Sequence, residues 1–244
     1  MGGSQSARPG EAAQAGAFTE KRLLSADDVR WLHEKLMIPN FPVQDELDPL
    51  QAWLETDVSS EEVWTRSEHG RRFFALVPAD GKQRFAALAV VETFRGDPAR
   101  GREPTALLAY IVTHPDYRLK GLSRRLVESC RKEHPVLFLE TETVPDAPGA
   151  ERDARVARIG VHRKNGFAAV AKFHYVQPPC SPEQGPCDDL TLMVCRASPD
   201  QKRVPAATVR SFADAMCAAY DSSGADFARD MVQQTRAVDA FDLE

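Results

Sequence analysis

Residues 111–127 read Ile-Val-Thr-His-Pro-Asp-Tyr-Arg-Leu-Lys-Gly-Leu-Ser-Arg-Arg-Leu-Val, and no other stretch of the chain is as informative. An apolar run, Thr105 to Thr113, ends at a proline turn, and a short basic loop containing Gly121 then opens into a helical pattern. The first backbone N–H groups of a helix have no partners within it, and the positive end of the helix dipole lies beside them. A glycine lets the backbone approach a ligand, because it has no Cβ. The stretch therefore predicts a strand, a loop and a helix N-terminus that bind a phosphorylated ligand.

The spacing Arg118-x-x-Gly121-x-Ser123 resembles the acyl-coenzyme A loop of the GNAT superfamily of N-acetyltransferases, whose pattern is Arg/Gln-x-x-Gly-x-Gly/Ala. Ser123 departs from the usual last residue, although it is small enough to fit. A second match lies further along the chain, where residues 162–167 resemble the Tyr-x-x-x-Gly-Phe ending of a later helix in that superfamily. The resemblance covers roughly residues 71–195.

The composition is that of an ordinary globular protein, with 244 residues, 43% hydrophobic and 27% charged. No apolar stretch approaches the ~20 residues that cross a bilayer, and residues 1–20 lack the apolar segment of a secretory signal, so we expect a cytoplasmic protein without membrane contact. The net charge of −5 argues against a nucleic-acid partner. Cys180 and Cys187 bracket a loop rich in Pro and Gly; two free thiols are favoured there, and whether they ever pair is left open.

The chain is expected to have three parts. Residues 1–20 form a disordered tail, residues 21–200 a GNAT-like acyl-coenzyme A-binding catalytic domain, and residues 201–244 a helical extension packed on that domain. The order of elements indicates an α/β or α+β fold with a mixed sheet. Together with the loop, it predicts a GNAT-like, mostly antiparallel central sheet with a splayed parallel strand pair, flanking helices and extra C-terminal helices.

The elements are placed from apolar periodicity and from the positions of Pro and Gly. If the helix that follows the loop crosses over in the usual right-handed way, the strand after this helix is parallel to the strand before the loop. The two N-terminal helices resemble a wall of the acceptor site in GNAT proteins, which would bring Phe41, Asp45 and Glu46 near a substrate. Predicted strands cover residues 73–78, 84–94, 105–113, 135–140, 168–176 and 190–196, and predicted helices begin at the Ser25 N-cap, near Leu47, at Leu122, before Val156, at Ala206 and at Asp226.

The resemblance implies acetyl-coenzyme A as acyl donor, with its pyrophosphate on the main-chain amides of the loop. Main-chain N–H groups of the strand before the loop polarise the thioester carbonyl in this superfamily. Basic side chains add positive charge, although a solvated helix face is the alternative for Arg124 and Arg125. No metal is expected. The predicted donor-binding residues are Ile111, Val112, Thr113, Arg118, Leu119, Lys120, Gly121, Leu122, Ser123 and Arg124.

Proton transfer is assigned to three candidates. Glu140 and Glu142 are two residues apart at a strand end, which puts both carboxylates on one face, and partial desolvation there would raise a pKa far enough to accept the amine proton. A solvent-facing pair of acids is the alternative, and Glu92 is a further candidate base. His162 occupies the place where many GNAT enzymes carry the tyrosine that protonates the thiolate, and it is either that acid or a plain surface residue. Arg155 replaces an asparagine common in the superfamily.

We therefore expect an acyl-coenzyme A-dependent N-acyltransferase that moves an acetyl group to the primary amine of a small molecule by direct attack on the thioester. Two alternatives remain open. The missing tyrosine and asparagine suit a catalytically weak coenzyme A-binding or regulatory module. The C-terminal helices suit a docking or dimerisation surface, with a protein lysine or N-terminus as the acceptor. The acceptor, the acyl chain length and the oligomeric state, including a homodimer, are not identified by the sequence.

Overall fold

The structure is a computed structural model that describes residues 17–22, 24–41, 49–54, 69–97, 99, 101–144, 148–179, 185–220 and 222–244. Asp45, Glu46 and Cys180 lie outside these residues. The chain forms two compact units. The first comprises Met1–Thr65, Arg72–Val90 and Tyr110–Ser129, and the second comprises Arg66–Arg71, Val91–Ala109 and Cys130–Glu244.

The helices and strands follow one another in an alternating order that the sequence pattern largely predicts. In chain order they are β1 Phe18–Lys21, α1 Ala26–Trp31 with a π-helical continuation Leu32–Met37, α2 Leu50–Leu54, β2 His69–Pro78, β3 Ala87–Phe94, β4 Thr105–Thr113, a 3₁₀ turn Pro115–Tyr117, α3 Leu122–Glu133, β5 Leu137–Glu142, α4 Ala150–Lys164, β6 Phe167–Ala169, β7 Leu190–Cys195, β8 Arg203–Pro205, α5 Ala206–Ala219, α6 Asp226–Arg236 and β9 Ala240–Asp242. Within the described ranges, no helix is long and apolar enough to cross a membrane.

Among the described residues, seven strands form one sheet in the order β1-β2-β3-β4-β5-β7-β6, and β8 pairs with β9. β4 and β5 are parallel, with Ala106 opposite Leu137 and Leu107 opposite Phe138. β5 is antiparallel to β7. The predicted fold class, a mostly antiparallel sheet with one parallel pair and flanking helices, is confirmed.

Several predicted boundaries differ from the structure, most of them by a few residues. The strand predicted over residues 168–176 is wrong beyond the first residues, because β6 ends at Ala169 and the chain turns at Lys172, whose φ of 59° is left-handed. β1 forms a strand of residues 18–21, so the predicted end of the tail at residue 20 falls inside it. Four residues carry too short a pattern to identify an edge strand from sequence.

The C-terminus closes against the sheet edge. Ala169 of β6 and Glu244 exchange two backbone hydrogen bonds, of 2.8 and 3.1 Å, and Val170 forms a bridge with Leu243. An exposed strand edge is a site for unwanted pairing with another chain, and this last segment covers it.

Each unit has its own apolar core. In the first unit, residues of α1, the π-helical segment and α2 pack with β2, β3 and β4: Leu24, Val29, Leu32, Leu36, Met37, Trp53, Phe73, Ala75, Phe85, Leu88, Val90 and Val112. In the second unit, Phe212 of α5 stacks on Phe138 with ring centroids 4.4 Å apart and contacts Phe94 at 5.9 Å. α5 therefore covers one face of β3 and β5.

Asp28 fixes the start of α1. Ser25 and Asp28 form a capping box, in which the Ser25 amide donates to Asp28 Oδ2 at 2.9 Å and the Asp28 amide donates to Ser25 Oγ at 3.1 Å. Lys21 Nζ and Arg84 Nε donate to the same carboxylate at 2.6 and 2.9 Å. Burial would raise the pKa of Asp28, but these donors outweigh it and lower the pKa to about 2.

We expect Asp28→Asn to lower the free energy of unfolding at pH 7 by about 2 kcal/mol. The pKa of this carboxyl is lower in the folded protein than in the unfolded chain, so its contribution is present above about pH 4 and is lost as the pH falls through about 2. Urea unfolding at several pH values measures the difference. Asp27→Asn is the matched control, because Asp27 is 78% exposed and bonds Arg30 within the same helix. Equal stability of the two variants at pH 7 would contradict the assignment.

Candidate active site

The loop Arg118–Gly121 connects the 3₁₀ turn to α3, and all four of its residues are exposed. Arg118 is extended, with φ −62° and ψ 160°, and Leu119 follows in the left-handed region, at φ 63°. Gly121 has a φ of 71°, and no atom lies within 4 Å of a Cβ built on it. The loop is therefore held in a left-handed conformation with open space beside Gly121.

The main-chain donors of this loop are available to a ligand. In the described part of the chain, the N–H groups of residues 119–122 have no hydrogen-bond acceptor. The Arg118 amide donates to the Pro115 carbonyl at 3.2 Å, and helical bonding begins where the Arg125 amide donates to the Gly121 carbonyl at 3.1 Å. Exposed donors at a helix N-terminus are suited to an anion such as a pyrophosphate.

Two basic side chains of the loop are held in place without being buried. Arg118 Nη2 donates to Asn40 Oδ1 at 2.8 Å, and Asn40 Nδ2 in turn donates to the Leu36 carbonyl at 2.7 Å. The Lys120 ammonium lies over the Tyr117 ring, 4.9 Å from its centroid. Both cations are therefore oriented by the first unit and remain open to solvent.

The two arginines in the first turn of α3 have different roles. Arg124 pairs with Glu128 at 2.9 Å, and both side chains are more than half exposed, so this pair is weak. Arg125 Nη2 donates to the Phe18 carbonyl at 3.0 Å and so ties α3 to β1. Leu122 is buried in the core and Ser123 is half-buried.

The predicted carbonyl-polarising residues occupy the end of β4. Val112 is 7% exposed and belongs to the core of the first unit, whereas Ile111 and Thr113 are half-buried. This alternation of buried and half-buried side chains is that of an ordinary strand. Their role in binding the thioester stays a prediction.

Glu140 is a carboxylate whose hydrogen-bond donors are uncharged side chains. Tyr175 Oη donates to Glu140 Oε1, and Gln177 Nε2 donates to Oε2 at 2.9 Å. Burial raises the pKa of Glu140 to about 7; the two hydrogen bonds oppose the shift, and the negative charge of Glu92 adds to it. A carboxyl with this pKa exchanges protons near neutral pH. The sequence pattern did not reveal Tyr175, which lies in a segment predicted as strand, or Gln177, directly after that segment.

Glu142, on the same face of β5, has a different environment. It forms ion pairs with Arg158 and, at 3.6 Å, with Arg155. Arg155 also donates to the Thr143 carbonyl at 2.8 Å and pairs with Asp189 at 3.1 Å, so it joins α4 to the chain after β5 and before β7. Guanidinium partners favour the ionised carboxylate, which makes Glu142 the poorer proton acceptor of the two. Its catalytic role stays a prediction.

His162 lies near the end of α4 and packs its ring edge-on against Phe167, with centroids 6.3 Å apart. Burial and the nearby Arg158 lower the pKa of His162 to about 4. The imidazole is therefore neutral at pH 7, which works against its use as an imidazolium acid. The hypothesis stays a prediction without further support from the geometry.

Glu92, the further candidate base, is buried and paired. Arg71 Nη2 donates to it at 2.8 Å, Tyr220 Oη donates at 2.9 Å, and His69 Nε2 lies 3.3 Å away. Burial opposes ionisation, but these partners outweigh it and lower the pKa of Glu92 to about 2. Such a carboxylate does not take up a proton at neutral pH. In the described part of the chain, no group of three or more His, Cys, Asp or Glu could hold a metal ion.

Several solved structures are similar to the chain. The ribosomal-protein-S18-alanine N-acetyltransferase from Escherichia coli is 18% identical, with a TM-score of 0.41, over 75% of this chain and 98% of that chain. Naa20 from Chaetomium thermophilum, in complex with a bisubstrate analogue, is 15% identical, with a TM-score of 0.45, over 72% and 85%. YjaB from Escherichia coli, in its apo-form, is 12% identical, with a TM-score of 0.42, over 74% and 99%.

A comparison with curated proteins finds no significant match. The family model described as "Acetyltransferase (GNAT) family" matches residues 32–167. That range is 136 of the 244 residues and includes the loop, β4 and β5. The chain therefore belongs to the GNAT acetyltransferase family of acyl-transferring enzymes.

Proposed function

We propose that the protein transfers an acetyl group from acetyl-coenzyme A to the primary amine of a small molecule. One observation carries the proposal: an exposed loop at the start of α3 presents main-chain N–H groups that have no acceptor among the described residues, beside a left-handed glycine, Gly121. This arrangement suits the pyrophosphate of coenzyme A, which is the feature that distinguishes this acyl donor from a simple thioester.

The loop fits the donor in three respects. The amides of residues 119–122 have no acceptor among the described residues and can donate to an anion, the open space at Gly121 leaves room for a phosphate, and the exposed cations of Arg118 and Lys120 would neutralise its charge. Oriented donors and a helix dipole cost no rearrangement when the anion binds. Arg125 is occupied with the Phe18 carbonyl and is assigned to structure.

Glu140 is the residue we assign to proton transfer. In the reaction, the amine nitrogen forms a bond to the thioester carbon, the carbon–sulfur bond breaks, and the sulfur leaves as a thiolate. The amine loses a proton to the Glu140 carboxylate, directly or through water, and the thiolate gains a proton. With a pKa of about 7, the Glu140 carboxyl can accept the proton from the amine and then release it again. The assignment requires Glu140 to come within reach of the bound amine.

A panel of acceptors tests the reaction itself. The full-length protein is incubated with acetyl-coenzyme A and an alkyl diamine, an arylethylamine, an amino acid or a peptide with a free N-terminus and a lysine, and thiol release is followed. The proposal expects release with at least one small amine. Release with the peptide alone would overturn the small-molecule assignment. Binding of acetyl-coenzyme A without release for any acceptor would overturn the transfer.

We expect Gly121→Glu to weaken acetyl-coenzyme A binding at least about 100-fold, because the side chain puts bulk and negative charge where the pyrophosphate binds. Gly101→Glu is the matched control: Gly101 has a φ of 64°, and its Cβ position is equally open, so both variants carry the same backbone strain and charge. Isothermal calorimetry measures the affinity and thermal unfolding checks the fold. Equal affinity of the two variants would refute the loop as the phosphate site.

We expect Glu140→Gln to lower kcat/KM by about 10²–10⁴. The wild-type rate should rise with pH through a midpoint near 7, as Glu140 ionises, and the variant should lose this dependence. Glu142→Gln, the same change two residues along β5, decides between the two carboxylates. A large loss with Glu142→Gln and none with Glu140→Gln would contradict the assignment.

The same variant has a stability readout. The pKa of Glu140 is raised in the folded protein, so ionising this carboxyl costs stability as the pH rises from about 4.5 through 7. Glu140→Gln should therefore increase the free energy of unfolding at pH 8 by on the order of 1–3 kcal/mol, and the gain should vanish near pH 4.5. Urea unfolding at the two pH values measures it. An unstable variant at pH 8 would show that the carboxylate is structural.

A further inference from the structure

Glu92 and Glu140 lie on the same face of the sheet. Phe94 of β3 and Phe138 of β5 both contact one side chain of α5, Phe212, at centroid distances of 5.9 and 4.4 Å. Residues two apart on a strand share a face. The carboxylates of Glu92 and Glu140 therefore lie on the face that α5 covers.

They also lie at the same level along the sheet. The His114 amide after β4 donates to the Ala86 carbonyl before β3 at 2.8 Å, so β3 and β4 are antiparallel, whereas β4 and β5 are parallel. β3 and β5 thus run in opposite directions. Glu92 precedes its phenylalanine and Glu140 follows its own, so both are displaced in the same direction from Phe212. With β4 between them, their strands are about 10 Å apart.

Glu92 carries a fixed negative charge at this position. It is 3% exposed, and its partners are Arg71, His69 and Tyr220. Tyr220 is the residue directly after α5, outside the range that the family model matches. The C-terminal helices therefore hold a charged group of the sheet in place, which is more than the family's core fold requires.

The described side chains that donate hydrogen bonds to Glu140 are uncharged. Tyr175 and Gln177 donate hydrogen bonds to it, and Leu192 of β7 lies opposite it in the antiparallel ladder. From α5, the residue over this face is Phe212. Glu142, two residues along β5, also lies on this face and is paired with Arg155 and Arg158, whereas Glu92, with Arg71 and His69 around it, lies across the sheet. After burial, the charge of Glu92 is the further cause that raises the pKa of Glu140.

We propose that Glu92 is a positioning residue for the acetyl transfer: its buried charge, held by Arg71, His69 and Tyr220, acts on the Glu140 carboxyl from the same face of the sheet. The inference rests on the proposed role of Glu140 as the proton acceptor. It places Tyr220, directly after α5, among the residues that hold the charge of Glu92 in position.

A pair of variants in the full-length protein separates charge from structure. Glu92→Gln removes the charge and keeps a hydrogen-bonding group, so the midpoint of the pH–rate profile should fall by about half a pH unit or more. Tyr220→Phe removes one hydrogen bond and leaves the charge, so it should lower the thermal midpoint and leave the pH midpoint unchanged. An unchanged pH midpoint in Glu92→Gln, or an equal shift in both variants, would overturn the inference. If Glu92→Gln does not fold, the double variant Arg71→Met/Glu92→Gln removes the ion pair as a whole, and its pH midpoint should still fall, by less than in the single variant because the positive charge of Arg71 is lost as well.

A second readout does not depend on turnover. Glu140→Gln should stabilise the wild-type background at pH 8 more than it stabilises the Glu92→Gln background, because the repulsion is already absent in the latter. Equal gains in both backgrounds would overturn the role of Glu92. If Glu140→Gln retains full activity, the proposed function of Glu140 fails, and the comparison of gains still shows whether the two carboxylates interact.

Discussion

The N–H groups at the start of α3 are donors that the helix cannot satisfy. A helix leaves its first donors without partners, and in many proteins a side-chain cap or a buried turn supplies the acceptors. Here the amides of residues 119–122 have no acceptor in the described part of the chain, and the turn before them places Leu119 in a left-handed conformation that costs about 1–2 kcal/mol for a residue with a Cβ. The strained residue Leu119 and the N–H groups without acceptors in the described chain are therefore in the same exposed loop. An anion that accepts these hydrogen bonds would stabilise the loop as it binds, which links the local backbone geometry to the family's acyl donor.

Glu140 and Glu142 are two residues apart in the chain, but their surroundings give the two carboxylates different properties. Glu142 has arginine partners that favour its charge, whereas Glu140 has only neutral donors among the described residues and a like charge on its own face. The strand therefore carries one acid suited to structure and one suited to proton exchange. Ionisation of Glu140 lowers the free energy of unfolding at neutral pH, because its pKa is raised in the folded protein. Catalytic groups are typically held in environments that cost stability in this way.

The elements around the loop were predictable because their signals are local. β4 matches its predicted range, Thr105 to Thr113, and α3 begins at Leu122 with a buried stripe of residues four apart, ending before Pro135. The place of Gly121 in the loop could be predicted because this glycine belongs to a six-residue sequence motif. The partners of the acidic residues were not, because Tyr220 is 128 residues from Glu92 and Tyr175 is 35 residues from Glu140. The arginine partners of Glu142 are likewise set by the packing of α4. β1 and the β8–β9 pair are too short to carry a sequence pattern.

Hydrogen–deuterium exchange at the amides of residues 119–122 tests the central claim most directly, since it reports on these donors rather than on turnover. The account predicts fast exchange in the free protein and marked slowing on saturation with coenzyme A, whereas acetyl pantetheine, which has the thioester arm without the pyrophosphate, should leave the rates unchanged. Exchange that is already slow in the free protein, or that coenzyme A does not alter at saturation, would contradict the account.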